Sequence, residues 1–147
     1  MNADKSTRQP EADLLRLIDA HMTLRWRDLD AYNHVNNSTF LTYLEEARLT
    51  WLANLDGEWM GAQCAPVVAA TQLNYRAQLS WPGTIRVELF CERLGNTSLT
   101  ISHRIVDAAR PDNLYCDGNV VLVWIDQRSG KSVALPDVVR RACRVAG

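Results

Sequence analysis

The densest cluster of polar side chains in the chain runs Arg25-Trp26-Arg27-Asp28-Leu29-Asp30-Ala31-Tyr32-Asn33-His34-Val35-Asn36-Asn37. It combines two carboxylates and an imidazole just ahead of a segment with helical periodicity. The first amides of a helix have no partners within the helix, and the helix dipole leaves partial positive charge there. Such N–H groups can polarise a carbonyl and hold an oxyanion, while a carboxylate a few residues upstream acts as general base or nucleophile. The same residues also fit plainer readings. Asp28 and Asp30 could cap the loop or the helix, with His34 and the asparagines satisfying backbone amides. Asp28, Asp30 and His34 could offer oxygen and nitrogen to a metal, although such spacing within a loop is weak evidence for one.

The elements that must position this cluster are legible from periodicity. Ahead of it, Leu14 to Ile18 predicts a short helical turn, and Met22, Leu24 and Trp26 alternate as in a strand over about 20–27. Behind it, Phe40, Leu44, Ala47, Trp51 and Leu55 recur at four, three, four and four, the stripe of one long amphipathic helix over 37–55. Asn36 is placed to cap it, and Asn54 to Gly57 to stop it. The remainder alternates in strands: Pro66 to Leu79, then Ile85-Val87-Leu89-Cys91, then Leu99-Ile101-His103-Ile105, then Asp117 to Asp126. The last is apolar on both sides, as interior strands are. A short closing helix is predicted over Asp137 to Cys143, after Pro136. One strand, one long helix and four or five antiparallel strands predict an α+β fold, a single curved sheet wrapped around one helix.

With 147 residues the chain fits one domain, predicted over 13–147 behind a loose polar tail over 1–12. Sixteen basic and 17 acidic residues give a net charge of -1, which speaks against a nucleic-acid partner. No apolar run is long enough to span a bilayer, and the polar start lacks a signal-peptide core, so the expected compartment is the cytoplasm. Cys64, Cys91, Cys116 and Cys143 stand far apart and read as buried small hydrophobes. His103 shares the apolar side of its strand and reads as a core residue. Ser129-Gly130-Lys131-Ser132 has the ending of a phosphate loop without its upstream glycine and reads as a hairpin turn. Glu45 and Arg48, three apart on the helix, are expected to pair as ions, with a place in the pocket wall as the alternative.

Asp28-Leu29-Asp30, then His34-Val35-Asn36-Asn37, Phe40 and Tyr43-Leu44-Glu45-Glu46-Ala47-Arg48 resemble the signature of the hydroxybenzoyl-CoA thioesterase-like family of hotdog-fold enzymes. The resemblance extends over roughly residues 20–140; the loop-and-helix string is fairly specific, and the strand half is generic. It implies hydrolysis of an acyl-CoA, or acyl-carrier, thioester. By position, the catalytic carboxylate falls on Asp30, and the amide that polarises the thioester carbonyl on Asn37. The His-Val-Asn-Asn region also resembles plant acyl-carrier-protein thioesterases and implies a supporting role for His34. Asn36, Tyr32 and Glu45 are then expected on the substrate side. The chain departs from the pattern with Tyr32 in place of an asparagine and Asn33 where many bacterial relatives carry glycine. Neither metal nor separate cofactor is expected, because the thiolate is a good leaving group and coenzyme A belongs to the substrate. Arg76 and Arg93 are candidates for its phosphates. A homodimer or homotetramer with the active site at the dimer interface is expected, since a lone sheet leaves an open edge. The same fold also serves hotdog dehydratases and non-catalytic acyl-thioester binding modules; Asp30 ahead of the helix favours hydrolysis.

Overall fold

A computed structural model describes residues 14–144, so the tail predicted over 1–12 lies outside the described residues. Strand β1 (Leu15–Thr23) leads through a 3-10 turn, Trp26–Asp28, into helix α1 (Asn37–Ala53). Strands β2 (Ala65–Tyr75), β3 (Thr84–Leu94), β4 (Ser98–Asp107) and β5 (Leu114–Ile125) follow, and helix α2 (Asp137–Ala142) closes the chain. The strands form one antiparallel sheet in the order β1-β3-β4-β5-β2, with β1 and β2 at its edges.

Helix α1 lies on one face of this sheet and is the predicted one, two residues shorter at its end. Phe40, Tyr43, Leu44, Ala47, Arg48, Trp51 and Leu52 are its buried residues. They pack on Ile85, Val87, Leu89, Leu99, Ile101, Ile105, Val120, Leu122 and Trp124, the inward positions of β3, β4 and β5. The indole of Trp124 donates to the Trp59 carbonyl at 3.0 Å, which satisfies the one polar atom of a fully buried side chain.

Three expectations need correction. Residues Leu15 to Ile18 are strand, not a helical turn; a bulge between Arg16 and Ile18 breaks the alternation that would have shown it. Trp26 and Arg27 leave the strand for the 3-10 turn, where the Asp28 carboxylate accepts the Arg25 amide at 3.0 Å. Glu45 and Arg48 do not meet as a close ion pair. Arg48 turns under the helix and is 8% exposed, while Glu45 stays exposed and acts on it only through space.

The face away from the helix is covered partly by charge. Glu88, 2% exposed, lies under Arg86 at 2.6 Å, Arg104 at 3.4 Å and Arg16 at 3.7 Å. Arg16 also stacks over the Phe90 ring, 5.2 Å from its centroid.

His103 is a core residue as expected. Its Nε2 lies 3.2 Å from the Gln72 carbonyl oxygen, and its Nδ1 is buried without a partner. Burial pushes its pKa from 6.5 down to about 4, with the Arg48 charge acting in the same direction. The folded state thus holds the ring neutral while the unfolded chain takes up a proton near its ordinary pKa. The stability this contributes is whole above about pH 6.5 and is lost as pH falls toward 4, a loss of up to about 3 kcal/mol. Urea denaturation across that window should show the decline in wild type and a shallower one in His103→Gln. A flat wild-type profile would contradict the burial of a neutral ring.

Candidate active site

The loop between β1 and α1 is folded by its own backbone. The Asp30 amide donates to the His34 carbonyl at 2.7 Å, the Asn33 amide donates to the Asp30 carbonyl at 3.2 Å, and Asn33 sits at φ 60. That left-handed conformation is one that asparagine tolerates better than most residues. The loop is then pinned from both sides. The Val35 amide donates to Leu79 in the β2–β3 connection at 2.7 Å, and the Asn36 amide donates to the Asp28 carbonyl at 2.9 Å.

Within this frame the two aspartates have different fates. The Asp28 carboxylate turns inward, where the Tyr43 hydroxyl donates to it at 2.7 Å. Burial and that carboxylate raise the Tyr43 pKa, so the phenol stays a donor. The Asp28 carboxylate is thus held within the fold by the Tyr43 hydroxyl and the Arg25 amide. Asp30 is exposed, and its Oδ1 accepts the Tyr32 amide at 2.8 Å and the His34 amide at 3.2 Å. Among the described residues nothing claims Oδ2. The carboxylate is oriented by two fixed donors, with one oxygen left open.

Asn36 caps α1 as expected, its side chain accepting the Ser38 amide at 3.0 Å and the Ser38 hydroxyl at 2.9 Å. Asn37 is the first helical residue, and among the described residues no acceptor takes its N–H. Its carbonyl accepts the Tyr75 hydroxyl at 3.0 Å, and Tyr75 meets Phe40 edge to face at 5.4 Å between centroids. The end of β2 thereby holds the start of α1.

Asp30, Tyr32, His34, Asn37, Phe40, Tyr75 and Arg76 line one cavity of about 530 Å³, a size suited to a small-molecule ligand. Four residues expected at the site, Asp30, Asn37, His34 and Tyr32, are together here. Two are not. The Asn36 side chain is occupied in the cap and does not line the cavity. Glu45 lines a different groove of about 1010 Å³, between α1 and β1, because it points to the side of the helix away from the sheet core. Tyr75 was missed by the sequence reading, since a strand tyrosine carries no local sign of what it will touch. Arg76, one of the two basic candidates, does line the cavity and pairs with Asp117 at 3.1 Å. Among the described residues no three or more His, Cys, Asp or Glu side chains gather as metal ligands would.

Comparison with known proteins converges on one family. Residues 24–143 match the model of the thioesterase-like superfamily. The long-chain acyl-CoA thioesterase FadM of Escherichia coli is 30% identical over 125 residues, spanning 84% of this chain and 94% of FadM. A Xanthomonas campestris structure, proposed to be an acyl-CoA thioesterase, is 52% identical with a TM-score of 0.72, covering 80% of this chain and 99% of that one. A thioesterase from Thermus thermophilus, solved with coenzyme A and zinc, is 28% identical with a TM-score of 0.74, covering 88% and 93%. The sheet wrapped around one helix, the oriented aspartate before that helix and these relatives agree: the chain belongs to the thioesterase-like superfamily, as a hotdog-fold thioesterase.

Proposed function

We propose that this thioesterase hydrolyses acyl-CoA thioesters, with Asp30 as general base or nucleophile and the Asn37 amide polarising the carbonyl. The observation that carries this reading is the Asp30 carboxylate, tethered through Oδ1 and open through Oδ2, in the same cavity as the unclaimed first amide of α1. A thioester carbonyl seated at that amide gains a preorganised donor, worth roughly 3 kcal/mol in the transition state by the measure of single oxyanion-hole donors. Asp30 then takes a proton from water as it adds to the carbonyl carbon, and collapse expels the thiolate. In the other route Oδ2 adds directly, the thiolate leaves, and water hydrolyses the mixed anhydride. The supporting role of His34 runs through its backbone amide, which orients Asp30. Coenzyme A enters as part of the substrate, and Arg76 is the cavity cation that suits its phosphates.

The site is proposed to be completed by a second copy of the chain, in a homodimer or homotetramer. Strand β2 supports this: it is a sheet edge, and Val67, Val68 and Tyr75 along it are 40%, 50% and 47% exposed. The cavity beside Tyr75 lies along this edge. Among the described residues no helix is long and apolar enough to cross a membrane, and we assign the protein to the cytoplasm.

Thiol release from an acyl-CoA panel, short to long and including aromatic acyl groups, tests the activity, and light scattering on the same sample tests the assembly. Hydrolysis of at least one substrate by a dimer or tetramer is expected. No hydrolysis by the folded protein would sink the enzymatic reading, and a monomer active at full rate would sink the shared site.

A further inference from the structure

The backbone groups beside the open Asn37 amide are themselves engaged. The Asn36 amide donates to the Asp28 carbonyl, and the Asn36 carbonyl accepts the Thr39 amide, both at 2.9 Å. The peptide unit between Asn37 and Ser38 is held at each end. The Asn36 side chain accepts its N–H at 3.0 Å, and the Tyr75 hydroxyl donates to its carbonyl at 3.0 Å. Rotation about Asn37 is thereby restrained, while among the described residues its own N–H has no acceptor. Of these bonds only the one from Tyr75 reaches the turn from the sheet, 38 residues along the chain.

We propose that Tyr75 is a positioning residue for thioester hydrolysis, its hydroxyl holding the first turn of α1 so that the Asn37 amide stays aimed at the substrate carbonyl. The inference rests on the reading of that amide as the carbonyl-polarising donor. A helix start is poorly restrained by the helix itself, because its first amides have no partners there and its ends fray. A donor stabilises an oxyanion only if it is already in place, and a misplacement of about 1 Å can cost roughly a hundredfold in rate. Tyr75 can supply that restraint because it is fixed in turn. It ends β2 opposite Cys116 of β5, and its ring meets the buried Phe40 edge to face at 5.4 Å between centroids. Phe40 belongs to α1, so strand and helix are joined twice, once by a ring and once by a hydroxyl.

The two halves of the side chain have separable consequences. The ring lines the cavity and shapes the wall that substrate meets. The hydroxyl proton is committed to the Asn37 carbonyl and so is not offered to substrate. Loss of the hydroxyl alone therefore acts on kcat, and loss of the ring acts on KM as well.

The test compares wild type, Tyr75→Phe and Tyr75→Leu on the acyl-CoA that wild type hydrolyses best, under conditions where urea curves show each protein folded. Tyr75→Phe keeps the ring and should lower kcat about tenfold while KM stays within about twofold. Tyr75→Leu should lower kcat at least as far and raise KM. Amide hydrogen exchange, which needs no substrate, should quicken at Ser38 and Thr39 in Tyr75→Phe by about tenfold relative to wild type. Wild-type kcat in Tyr75→Phe, with or without a lower urea midpoint, overturns the proposal and leaves the proposed function standing. A change confined to KM, or unchanged exchange in the first turn, overturns it too. A folded wild type that hydrolyses nothing removes the proposed function, and this inference with it.

Discussion

Replacing Asp30 by asparagine is expected to lower kcat for acyl-CoA hydrolysis by about a hundredfold or more, about 2.7 kcal/mol of barrier, with the fold unchanged. The geometry makes this substitution informative. Asparagine is near-isosteric, and its Oδ1 can still accept the Tyr32 and His34 amides that Asp30 now takes at 2.8 and 3.2 Å. The loop should therefore keep its shape, and stability should change by less than about 1 kcal/mol. What asparagine cannot supply is a basic or nucleophilic oxygen where Oδ2 stands. A hundredfold loss in kcat together with an unchanged denaturation midpoint assigns Asp30 to the reaction. Equal turnover by both proteins removes it from the chemistry. A loss of activity that tracks a loss of stability would leave Asp30 as a loop cap only. Single turnovers in heavy-oxygen water test the nucleophilic route: label in the Asp30 side chain requires a mixed anhydride that water opens at the aspartyl carbon, because a general base exchanges no oxygen with water.

The largest effect on stability is expected at Gly118. It lies on β5, opposite His103 of β4 on one side and Leu73 of β2 on the other, at φ +146. A Cβ there would stand 2.0 Å from the Gln72 carbonyl oxygen and 3.1 Å from His103 Nε2. Backbone cannot swing aside as a side-chain tip can, so Gly118→Ala must shift β2 or β5 and break the contact between His103 and Gln72. Together with the unfavourable φ, this should cost at least about 3 kcal/mol, read as a fall in the urea midpoint. Gly130, also at positive φ (+73) but with nothing within 4 Å of a built Cβ, is the control, and alanine there should cost only about 1 kcal/mol. Equal costs at the two sites would mean that φ alone, and not the close approach, is what Gly118 serves. Because β2 ends on Tyr75 and the chain continues with Arg76 into the cavity wall, Gly118→Ala should also weaken catalysis beyond its effect on folding.

Much of this protein is written locally. The stripe of α1 follows from residues three and four apart, because a helix closes its hydrogen bonds within itself and needs only one apolar face. The Asn36 cap is likewise a contact between near neighbours, and so is the turn at Gly130, where the Asp126 side chain takes the amides of Arg128 and Ser129. The Asp30 loop belongs to the same class, since the atoms that orient the carboxylate come from two and four residues along the chain. A resemblance carried by such a string could therefore single out Asp30 as the candidate catalytic residue before any fold was known.

Tertiary structure decided what local bonding cannot. Asp28 and Asp30 are alike by type and spacing, and only the Tyr43 hydroxyl, fifteen residues away, draws the first inward and leaves the second exposed. Glu45 and Arg48 have the spacing of an ion pair, but the arginine is buried under the helix while Glu45 stays exposed, and a surface pair offers too little attraction to bring them together. Tyr75 reaches the start of α1 from 38 residues away, and Arg140 of the closing helix reaches back 45 and 44 residues to the carbonyls of Gly95 and Asn96 after β3. In each case the contact depends on how strands lie side by side. That order is set by packing the whole sheet around the helix, and no window of neighbouring residues contains it.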